Sequence, residues 1–393
     1  MDFKRLENVD LKGKCVLVRV DFNVPRGPDG GISDTTRIDA ALPTIKHLQT
    51  SGAKTILLSH YGRPKGQVDP EMSLQFILPT LSEKLGGDVA FSEAPDLDAV
   101  NALPAGGVLL LDNTRFDTRE AAGDEALAKT YAGLGDIFVQ DAFSTAHRAH
   151  ASSSVIAKFI PAFAGLAMAR ELDHLSQALD NPKAPVMAVV GGAKVSTKID
   201  LLNNLVKKLD RLAIGGGMAN TFLAALGHNV GKSLCEHDLK PLALEIIESA
   251  KAENCEIILP CDLVVAKDFK ANAESRVCDL DSVKPDEMIL DAGPDTVNIL
   301  ADAIDSSKTL IWNGPLGAFE LTPFDTSTVE AAKYAAERVK SNGLIAVAGG
   351  GDTVSALNHA GVADDFTFIS TAGGAFLEWM EGKILPGVEI LLK

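Results

Sequence analysis

Short runs of β-branched and aliphatic residues alternate with longer amphipathic stretches from one end of this chain to the other. Such alternation is typical of βαβ units, in which helices connect the parallel strands of a sheet. The chain is therefore predicted to be an α/β protein. The predicted strands are 14–21, 55–59, 108–111, 137–141, 186–190, 211–214, 257–259, 309–312, 344–348 and 367–369, and the clearest predicted helices are 39–50, 124–134, 197–209 and 326–341.

The length of 393 residues exceeds what one hydrophobic core usually supports, so two domains are expected. The chemistry of the predicted strand ends changes between residues 165 and 180. There LAMARELDHL at 166–175 predicts a helix that ends before Asn181 and Pro182. We therefore expect two doubly wound, Rossmann-like domains with parallel sheets, joined by this helix as a hinge.

Basic side chains follow four of the predicted strands in the first half of the chain. The segments are RVDFNVP at 19–25 with Arg37 soon after, SHYGRP at 59–64, LDNTRF at 111–116 and DAFSTAHRAH at 141–150. Because ligands of open α/β sheets bind beyond the carboxyl ends of the strands, we expect these cations to converge on an anion. Arginine suits this task, since its planar guanidinium can hold a phosphate or carboxylate through two hydrogen bonds. The alternative is a set of scattered surface arginines in ion pairs.

The overall charge argues against a nucleic-acid partner, because the formal net charge is -16 and a nucleic-acid surface needs clustered lysine and arginine. The amino terminus lacks the apolar stretch of a signal peptide, and no apolar run has the length needed to span a membrane. The five cysteines form no Cys-x-x-Cys pair, which is typical of reduced thiols. We expect a cytoplasmic protein that binds neither nucleic acid nor membrane.

Glycine replaces arginine at the predicted strand ends of the second half. The segments are VVGGAK at 189–194, IGGGM at 214–218, WNGPLGAFE at 312–320 and AGGGDT at 348–353. Glycine between a strand and a helix lets phosphate approach backbone N–H groups and the positive end of the helix dipole. One glycine pair also makes an ordinary turn, but the four together favour a nucleotide site.

Several other motifs are incomplete. GHNVGKS at 227–233 resembles a Walker A loop but has three residues between its glycines where four are needed, so Lys232 is interpreted as a structural or surface residue. No Gly-x-Gly-x-x-Gly supports a nicotinamide dehydrogenase, and no Gly-x-Ser-x-Gly supports a hydrolase. His147 and His150 have the spacing of metal ligands, but Arg148 between them would repel a cation, so a structural or anion-contacting role is favoured.

In combination, these segments resemble the signature segments of the phosphoglycerate kinase family, in that family's order and over nearly the whole chain. The departures are small. Asp112 stands where the family usually has Glu, Tyr61 where Leu is common, and Ala372 replaces a glycine. The matching segments are RVDFNVP at 19–25, SHYGRP at 59–64, AHRAHAS at 146–152, GGAKVSTK at 191–198, WNGP at 312–315 and GGGDT at 349–353.

The resemblance implies reversible phosphoryl transfer from 1,3-bisphosphoglycerate to ADP, giving 3-phosphoglycerate and ATP in glycolysis and gluconeogenesis. It implies Mg²⁺ as the cofactor and a monomer that bends at its hinge. Residues 1–168 and a returning tail, 370–393, are expected to form the phosphoglycerate-binding domain, and residues 169–369 the nucleotide-binding domain. The nucleophile in the ATP-consuming direction is an ionised carboxylate, so no catalytic base is required.

The resemblance also implies which residues form the sites. Those expected to bind phosphoglycerate are Asp21, Phe22, Asn23, Arg37, His60, Tyr61, Gly62, Arg63, Arg115 and Arg148. Those expected to bind nucleotide are Lys198, Asn313, Pro315, Glu320, Gly350, Gly351, Asp352 and Thr353, with Asp352 as the magnesium ligand. The residues expected in catalysis are Arg37, Lys194, Lys198, Gly350 and Gly351.

Other interpretations stay open for the sequence alone. Asp352 could simply begin a helix, and Lys194 and Lys198 could be a solvated pair one helical turn apart. A non-catalytic protein that binds an anionic metabolite would also place arginines in a cleft, but it would have no use for the paired lysines or for Gly-Gly-Asp-Thr. A nicotinamide-dependent dehydrogenase would need the glycine fingerprint that this chain lacks. An assay of ATP formation from 1,3-bisphosphoglycerate and ADP separates these possibilities.

Overall fold

The structure is a computed structural model that describes residues 2–28 and 30–393. Its strands are β1 (Cys15–Arg19), β2 (Lys54–Leu58), β3 (Val89–Ser92), β4 (Val108–Leu111), β5 (Ile137–Gln140), β6 (Ala162–Ala164), β7 (Val186–Val190), β8 (Arg211–Ile214), β9 (Glu256–Ile258), β10 (Asp262–Ala266), β11 (Ser275–Asp279), β12 (Met288–Ala292), β13 (Thr309–Asn313), β14 (Ile345–Gly349) and β15 (Phe368–Ser370). Its helices are α1 (Thr36–Thr50), α2 (Leu78–Leu85), α3 (Leu97–Ala102), α4 (Thr118–Ala122), α5 (Glu125–Ala132), α6 (Leu166–Leu179), α7 (Ile199–Leu205), α8 (Gly216–Ala225), α9 (Lys240–Ala252), α10 (Pro294–Asp305), α11 (Thr326–Asn342), α12 (Gly351–His359), α13 (Gly374–Met380) and α14 (Pro386–Glu389).

The chain forms two compact units. The first runs up to Asp173 and includes Ile384–Lys393, and the second is His174–Lys383. The division falls within α6, the helix that the sequence predicts between Gly165 and Asn181.

The first unit is built on a parallel sheet with the strand order β3-β4-β2-β1-β5-β6 in the described part of the chain. The inner strands are apolar on both faces, because helices cover both, and Val18, Leu57, Leu110 and Val139 lie in the core. The strand order reverses on the two sides of β1, so a crevice is expected between the carboxyl ends of β1 and β5.

The second unit repeats this plan. Across its described residues, its parallel sheet has the order β15-β14-β13-β7-β8-β9. Here the strand order reverses on the two sides of β7, which pairs with β13 from Val186–Thr309 to Val190–Asn313. The predicted glycine segments after β7 and β13 therefore meet at the place where doubly wound sheets bind ligands.

The second unit also contains an antiparallel sheet that the sequence analysis did not predict. Its strand order is β11-β10-β12, and a bulge lies between Val264 and Val265 of β10. No α-helix lies between these three strands along the chain, and both β11 and β12 pair with β10 in the antiparallel sense. The short strands β3 and β6 were missed as well, because each lies at a sheet edge and has only a few residues.

The structure corrects the predicted course of the tail. Residues 370–383 belong to the second unit, where Asn204 Nδ2 donates to Met380 O at 2.5 Å and Lys383 Nζ lies 3.3 Å from Asp200 Oδ2. The return to the first unit begins at Ile384, and Gly387 N donates there to Ala146 O at 2.8 Å. The first-half boundary also lies later than predicted, at Asp173, because α6 begins in one unit and ends in the other.

Candidate functional site

The predicted phosphoglycerate site lies beyond the carboxyl ends of β1, β2, β4 and β5. His60 and Arg63 follow β2, Arg115 follows β4 and Arg148 follows β5. Burial lowers the pKa of Arg115, and the positive charges of Arg19, Arg148 and Arg63 lower it further. We call Arg63, Arg115 and Arg148 the cation cluster, and His60 lies beside it. Cations that disfavour one another's charge create a potential that an anion relieves.

Asp21 and Arg37 form an ion pair in the same unit. Arg37 Nη1 donates to Asp21 Oδ2 at 2.8 Å, and Ser144 Oγ donates to the same oxygen at 2.5 Å. Burial raises the pKa of the Asp21 carboxyl, but the charge of Arg37 and these hydrogen bonds outweigh it and hold the pKa below its ordinary value. Arg37 is thus paired with a protein carboxylate, whereas Arg63 donates no hydrogen bond to any described residue.

Hydrogen bonds to the backbone hold the loops of the cation cluster together. Asn23 Oδ1 accepts from Gly62 N at 2.9 Å, and Arg115 Nη1 donates to Gly62 O at 2.7 Å. The buried Asn113 accepts at its Oδ1 from the backbone N–H groups of Tyr61 and Arg115, both at 3.1 Å. The ends of three strands are therefore fixed before any ligand binds. The sequence analysis gave no role to Asn113.

Two predicted substrate contacts have different surroundings. The Phe22 side chain is fully buried in the core, and its backbone N–H donates to Ser59 Oγ at 2.9 Å. The Phe22 side chain packs in the core beneath the loop that follows β1, so it is not available to a ligand. Tyr61 is half-buried, and its ring packs against Phe76 with the centroids 5.0 Å apart.

The two histidines near Arg148 have different surroundings. Arg148 Nε donates to His147 Nε2 at 3.0 Å. His150 is buried, and burial together with the charges of Arg19 and Arg115 lowers its pKa to about 4. His150 is therefore neutral at physiological pH.

The second unit has a cavity of about 510 Å³ at the carboxyl edge of its sheet. A volume of this order suits a nucleotide-sized ligand. Of the predicted nucleotide residues, Pro315, Glu320 and Asp352 line the cavity. Glycines form one wall and apolar side chains much of the rest, among them Leu234, Leu263, Phe269, Leu290, Leu316 and Phe319.

Lys198 joins the two strand ends at the reversal point of the second sheet. Its Nζ donates to Gly191 O at 2.6 Å, to Asn313 O at 3.1 Å and to Asn313 Oδ1 at 2.6 Å. These acceptors use all three of its N–H groups. Burial lowers the pKa of Lys198 to about 8, against the opposing influence of Asp352.

Close backbone approach explains the glycines here. A Cβ on Gly191 would lie 1.8 Å from Pro315 O, and one on Gly314 would lie 2.2 Å from Gly191 O. Gly350, at the start of α12, has φ of 100°, which disfavours any side chain. The first turn of α12 is tied to β13, because Gly314 N donates to the buried Thr353 Oγ1 at 2.7 Å.

Lys194 is exposed, and its Nζ donates no hydrogen bond within the described residues. The turn that carries it is held from a different segment. Ser196 donates its N to Glu236 Oε2 at 3.0 Å and its Oγ to Glu236 Oε1 at 2.6 Å. Burial raises the pKa of the Glu236 carboxyl, but these bonds and the charge of Lys194 leave it below its ordinary value.

Comparison with known proteins identifies the family. A family model described as phosphoglycerate kinase matches residues 6–383. The chain belongs to the phosphoglycerate kinase family. It is 59% identical over 396 residues to a phosphoglycerate kinase of Caulobacter vibrioides (strain NA1000 / CB15N), with 100% of both chains covered. It is 59% identical over 395 residues to that of Maricaulis maris (strain MCS10), covering 100% of this chain and 98% of the relative. The structure of phosphoglycerate kinase from Coxiella burnetii matches with a TM-score of 0.94 and 43% identity, covering 99% of this chain and 98% of that chain.

Family membership confirms the predicted activity and fold class. The chain is a phosphotransferase that moves a phosphoryl group reversibly between 1,3-bisphosphoglycerate and ADP, giving 3-phosphoglycerate and ATP, a step of glycolysis. ADP and ATP are therefore substrates. No helix in residues 2–28 and 30–393 is long and apolar enough to cross a membrane.

The cavity of the second unit also includes residues that the sequence analysis did not assign to the site. Phe269 comes from the loop after β10, and Asp291 from β12. Burial raises the pKa of Asp291 to about 7 despite its hydrogen bonds with Ser327. Lys232, interpreted from the sequence as structural or surface, is exposed and lies at the cavity wall. Their positions depend on the antiparallel sheet and its loops, for which no motif gave a signal.

Proposed function

We propose that the first unit binds the three-carbon substrate through the cation cluster. The observation that carries this assignment is that the positive charges of Arg148 and Arg63 lower the pKa of Arg115, although the three side chains come from three different strand ends. A phosphate group offers several anionic oxygens, so it can bind several guanidinium groups at once. The cluster, with His60, holds the phosphate that is not transferred.

The other end of the three-carbon substrate lies with Asp21, Asn23 and Arg37 in this proposal. Asp21 accepts from the substrate hydroxyl, and Asn23 binds near the carboxyl end. Arg37 reaches the reacting carboxyl group, exchanging its bond to Asp21 for one to the substrate. The ion pair between Asp21 and Arg37 at 2.8 Å supports this exchange, because it keeps the guanidinium oriented and charged before substrate arrives. Tyr61 and Gly62 act through their backbone groups, which hold the loop in position.

The second unit binds the nucleotide in the cavity described above. The base lies against its apolar wall, Glu320 accepts from the ribose hydroxyls, and Asn313 and Pro315 lie along the bound nucleotide. The phosphates lie at the start of α12, where the N–H groups of Gly350 and Gly351 and the helix dipole favour negative charge. Thr353 adds a hydroxyl that already accepts from Gly314 and keeps its own proton to donate.

Magnesium fits this arrangement as the metal of the nucleotide. Asp352 is exposed in the first turn of α12 and lines the cavity. Among residues 2–28 and 30–393, no group of three His, Cys, Asp or Glu side chains could hold a metal on its own. Mg²⁺ needs no such cage, since it is commonly held by one or two carboxylates together with substrate phosphates and water. Bound there, it would neutralise charge on the nucleotide phosphates.

Catalysis in this proposal depends on charge and position. Lys194, with no hydrogen bond of its own to give up, stabilises the phosphoryl group during transfer, and Arg37 stabilises the carboxyl oxygen that receives it. Lys198 contacts phosphate by exchanging one of its three protein acceptors. The carboxylate nucleophile is ionised at neutral pH, so no side chain has to remove a proton.

We also propose a monomer that acts in the cytoplasm. The cysteines support this compartment, since all five are free thiols.

Hydrogen–deuterium exchange with single ligands tests the assignment of substrates to units. With 3-phosphoglycerate alone, protection should appear in peptides after β1, β2, β4 and β5. With magnesium ADP alone, it should appear in peptides after β7, β13 and β14. Protection of the first unit by magnesium ADP, with the second unchanged, would overturn the assignment. A repeat with ADP and a chelator should reduce protection around Asp352.

A further inference from the structure

A buried polar network lies behind the cation cluster and is not part of the roles described so far. Arg19 is the last residue of β1 and is only 1% exposed. Its Nε donates to Ser152 Oγ at 3.1 Å, its Nη1 to Val20 O, and its Nη2 lies 3.0 Å from His60 Nδ1. A charged side chain in a core strand is costly unless its donors are used, and each of the three nitrogens has a partner.

The network continues from Ser152 to a second buried charge. Glu120 in α4 is 1% exposed, and its two oxygens accept from Ser152 Oγ at 2.5 Å and from Ser152 N at 3.1 Å. A serine hydroxyl has one proton. Since that proton goes to Glu120, the Ser152 oxygen is left to accept from Arg19. The Ser152 hydroxyl therefore donates to Glu120 and accepts from Arg19.

The same reasoning determines the protonation of His60. A guanidinium can only donate hydrogen bonds, so the His60 Nδ1 that faces Arg19 Nη2 must be an acceptor without a proton. In a neutral imidazole the proton then lies on Nε2, because the hydrogen bond made by one ring nitrogen determines the state of the other. The His60 ring can offer a ligand an N–H group only through Nε2.

The charges around His60 agree with a neutral ring. Burial lowers its pKa well below the ordinary value, and the charge of Arg19 lowers it further. Asp21 opposes this shift, while Arg115 and Arg37 add to it. A second proton on Nδ1 would also point at the donors of Arg19.

We propose that Arg19, Ser152 and Glu120 are positioning residues that hold His60 in its neutral, Nε2-protonated form, so that it presents an N–H donor to the phosphate of the three-carbon substrate. This inference rests on the proposed role of the cation cluster. All three positioning residues are buried, and none is assigned a contact with the substrate. Without them, the His60 ring can rotate or take the other tautomer, and would then present a lone pair that repels phosphate.

The tautomer can be read directly from the uniformly ¹⁵N-labelled full-length protein. In a long-range ¹H–¹⁵N correlation spectrum, an unprotonated imidazole nitrogen resonates far from a protonated one. A His60→Gln variant identifies the His60 signals by their loss. We expect Nδ1 to appear unprotonated and Nε2 protonated from pH 6 to pH 8, with no change across that range. A protonated Nδ1, or a doubly protonated ring at pH 6, would overturn the proposal.

Two variants test the positioning. Ser152→Ala removes the bridge between Arg19 and Glu120, and Glu120→Gln leaves one acceptor oxygen where there were two. Both should move the His60 nitrogens toward averaged shifts and raise the KM for 3-phosphoglycerate about tenfold, with the KM for ATP unchanged. Glu125→Gln is the matched control, because Glu125 forms an exposed ion pair with Lys158 and should change neither measurement.

The outcomes separate this inference from the proposed substrate site. If the variants change the KM for 3-phosphoglycerate but leave the tautomer signals as in the parent protein, the positioning role is wrong. If the signals move as expected but even His60→Gln leaves the KM unchanged, the assignment of His60 to the substrate is wrong. If a variant does not fold, the spectrum of the parent protein still tests the predicted tautomer.

Discussion

The two units build their proposed anion sites by different means. In the first unit, charged side chains from several strand ends are brought together, and residues such as Asn113 and Asn23 hold their loops. In the second unit, the strand ends approach so closely that Gly191 and Gly314 leave no room for a side chain, and the buried amine of Lys198 joins them. The first site is made of side chains and the second largely of backbone.

The difference shows how charge can be placed before a ligand arrives. A guanidinium keeps its proton at neutral pH even where burial and like charges lower its pKa, so the arginines stay charged together. An ammonium is less robust, and burial lowers the pKa of Lys198 to about 8. Backbone N–H groups need no proton from solution. We therefore expect mildly alkaline pH to weaken ligand binding at the second site. At the first site, we expect replacement of single side chains to weaken binding of one substrate and not the other.

The largest effect is expected from Lys194, a side chain of the second unit. It would show that catalysis at the backbone-rich second site still depends on one charged side chain. Lys194→Ala should lower turnover by about one hundredfold to one thousandfold, the scale seen when a transition-state donor is removed, with both KM values nearly unchanged. Steady-state kinetics in both directions measures this. Lys208→Ala, which removes another exposed lysine, should be near normal. Near-normal turnover of the Lys194 variant would refute its role.

The second effect sharpens the separation of substrates. Arg63→Ala should weaken 3-phosphoglycerate about thirtyfold, because a charge-assisted contact is lost, while ADP affinity stays the same. Calorimetry with each ligand alone measures both affinities. Arg119→Ala is the control, since Arg119 is exposed and already paired with Asp117 at 2.6 Å. An equal fall in ADP affinity would contradict the assignment of the cluster to the first substrate.

The third effect depends on pH. As the pH rises through about 8, the buried Lys198 of the free enzyme loses its proton and its positive charge. Its contribution to phosphate binding is therefore present below that pH and lost above it. The kcat/KM for ATP should fall about tenfold between pH 7 and pH 9. The kcat/KM for 3-phosphoglycerate, at saturating ATP, should stay level. A parallel fall in both profiles would place the titrating group elsewhere.

The smallest effect concerns the support of Lys194. Glu236→Gln and Ser196→Ala each weaken the bonds that hold its turn, so each should lower turnover about threefold. Because the two residues contact each other, the double variant should be little worse than either single one. A double-mutant cycle on kcat measures this coupling. Fully additive effects would mean that the contact at 2.6 Å does not position Lys194.

The sequence predicted the fold class and most of the strands with good accuracy. Each strand expected from a short apolar run is present, with ends displaced by no more than two residues. The failures have common causes. β3 and β6 are short edge strands, and β10 to β12 form a sheet whose loops contain no recognised turn motif. The tail at 370–383 was placed in the wrong unit, because its packing beside Asn204 and Asp200 is a long-range contact without a local pattern.

At the proposed sites, sequence motifs predicted residues that carry charge but not the residues that support them. The arginines and glycines stand next to strand ends, and their type alone indicates the chemistry of the ligand. Asn113 and Ser152 are uncharged, and Glu120 belongs to none of the motifs quoted above. Their importance comes from burial and hydrogen bonds to residues distant in the chain.

The sequence by itself determined the alternation of strands and helices, the two halves with different loop chemistry, and the anionic nature of both ligands. These are local properties, since hydrophobic periodicity and residue type act over a few neighbouring positions. Only the tertiary structure decided which nitrogen of His60 faces Arg19, why burial lowers the pKa of Lys198, and where the cavity lies. Each of these depends on burial and on charges from distant segments, because a group's protonation is determined by its surroundings in space.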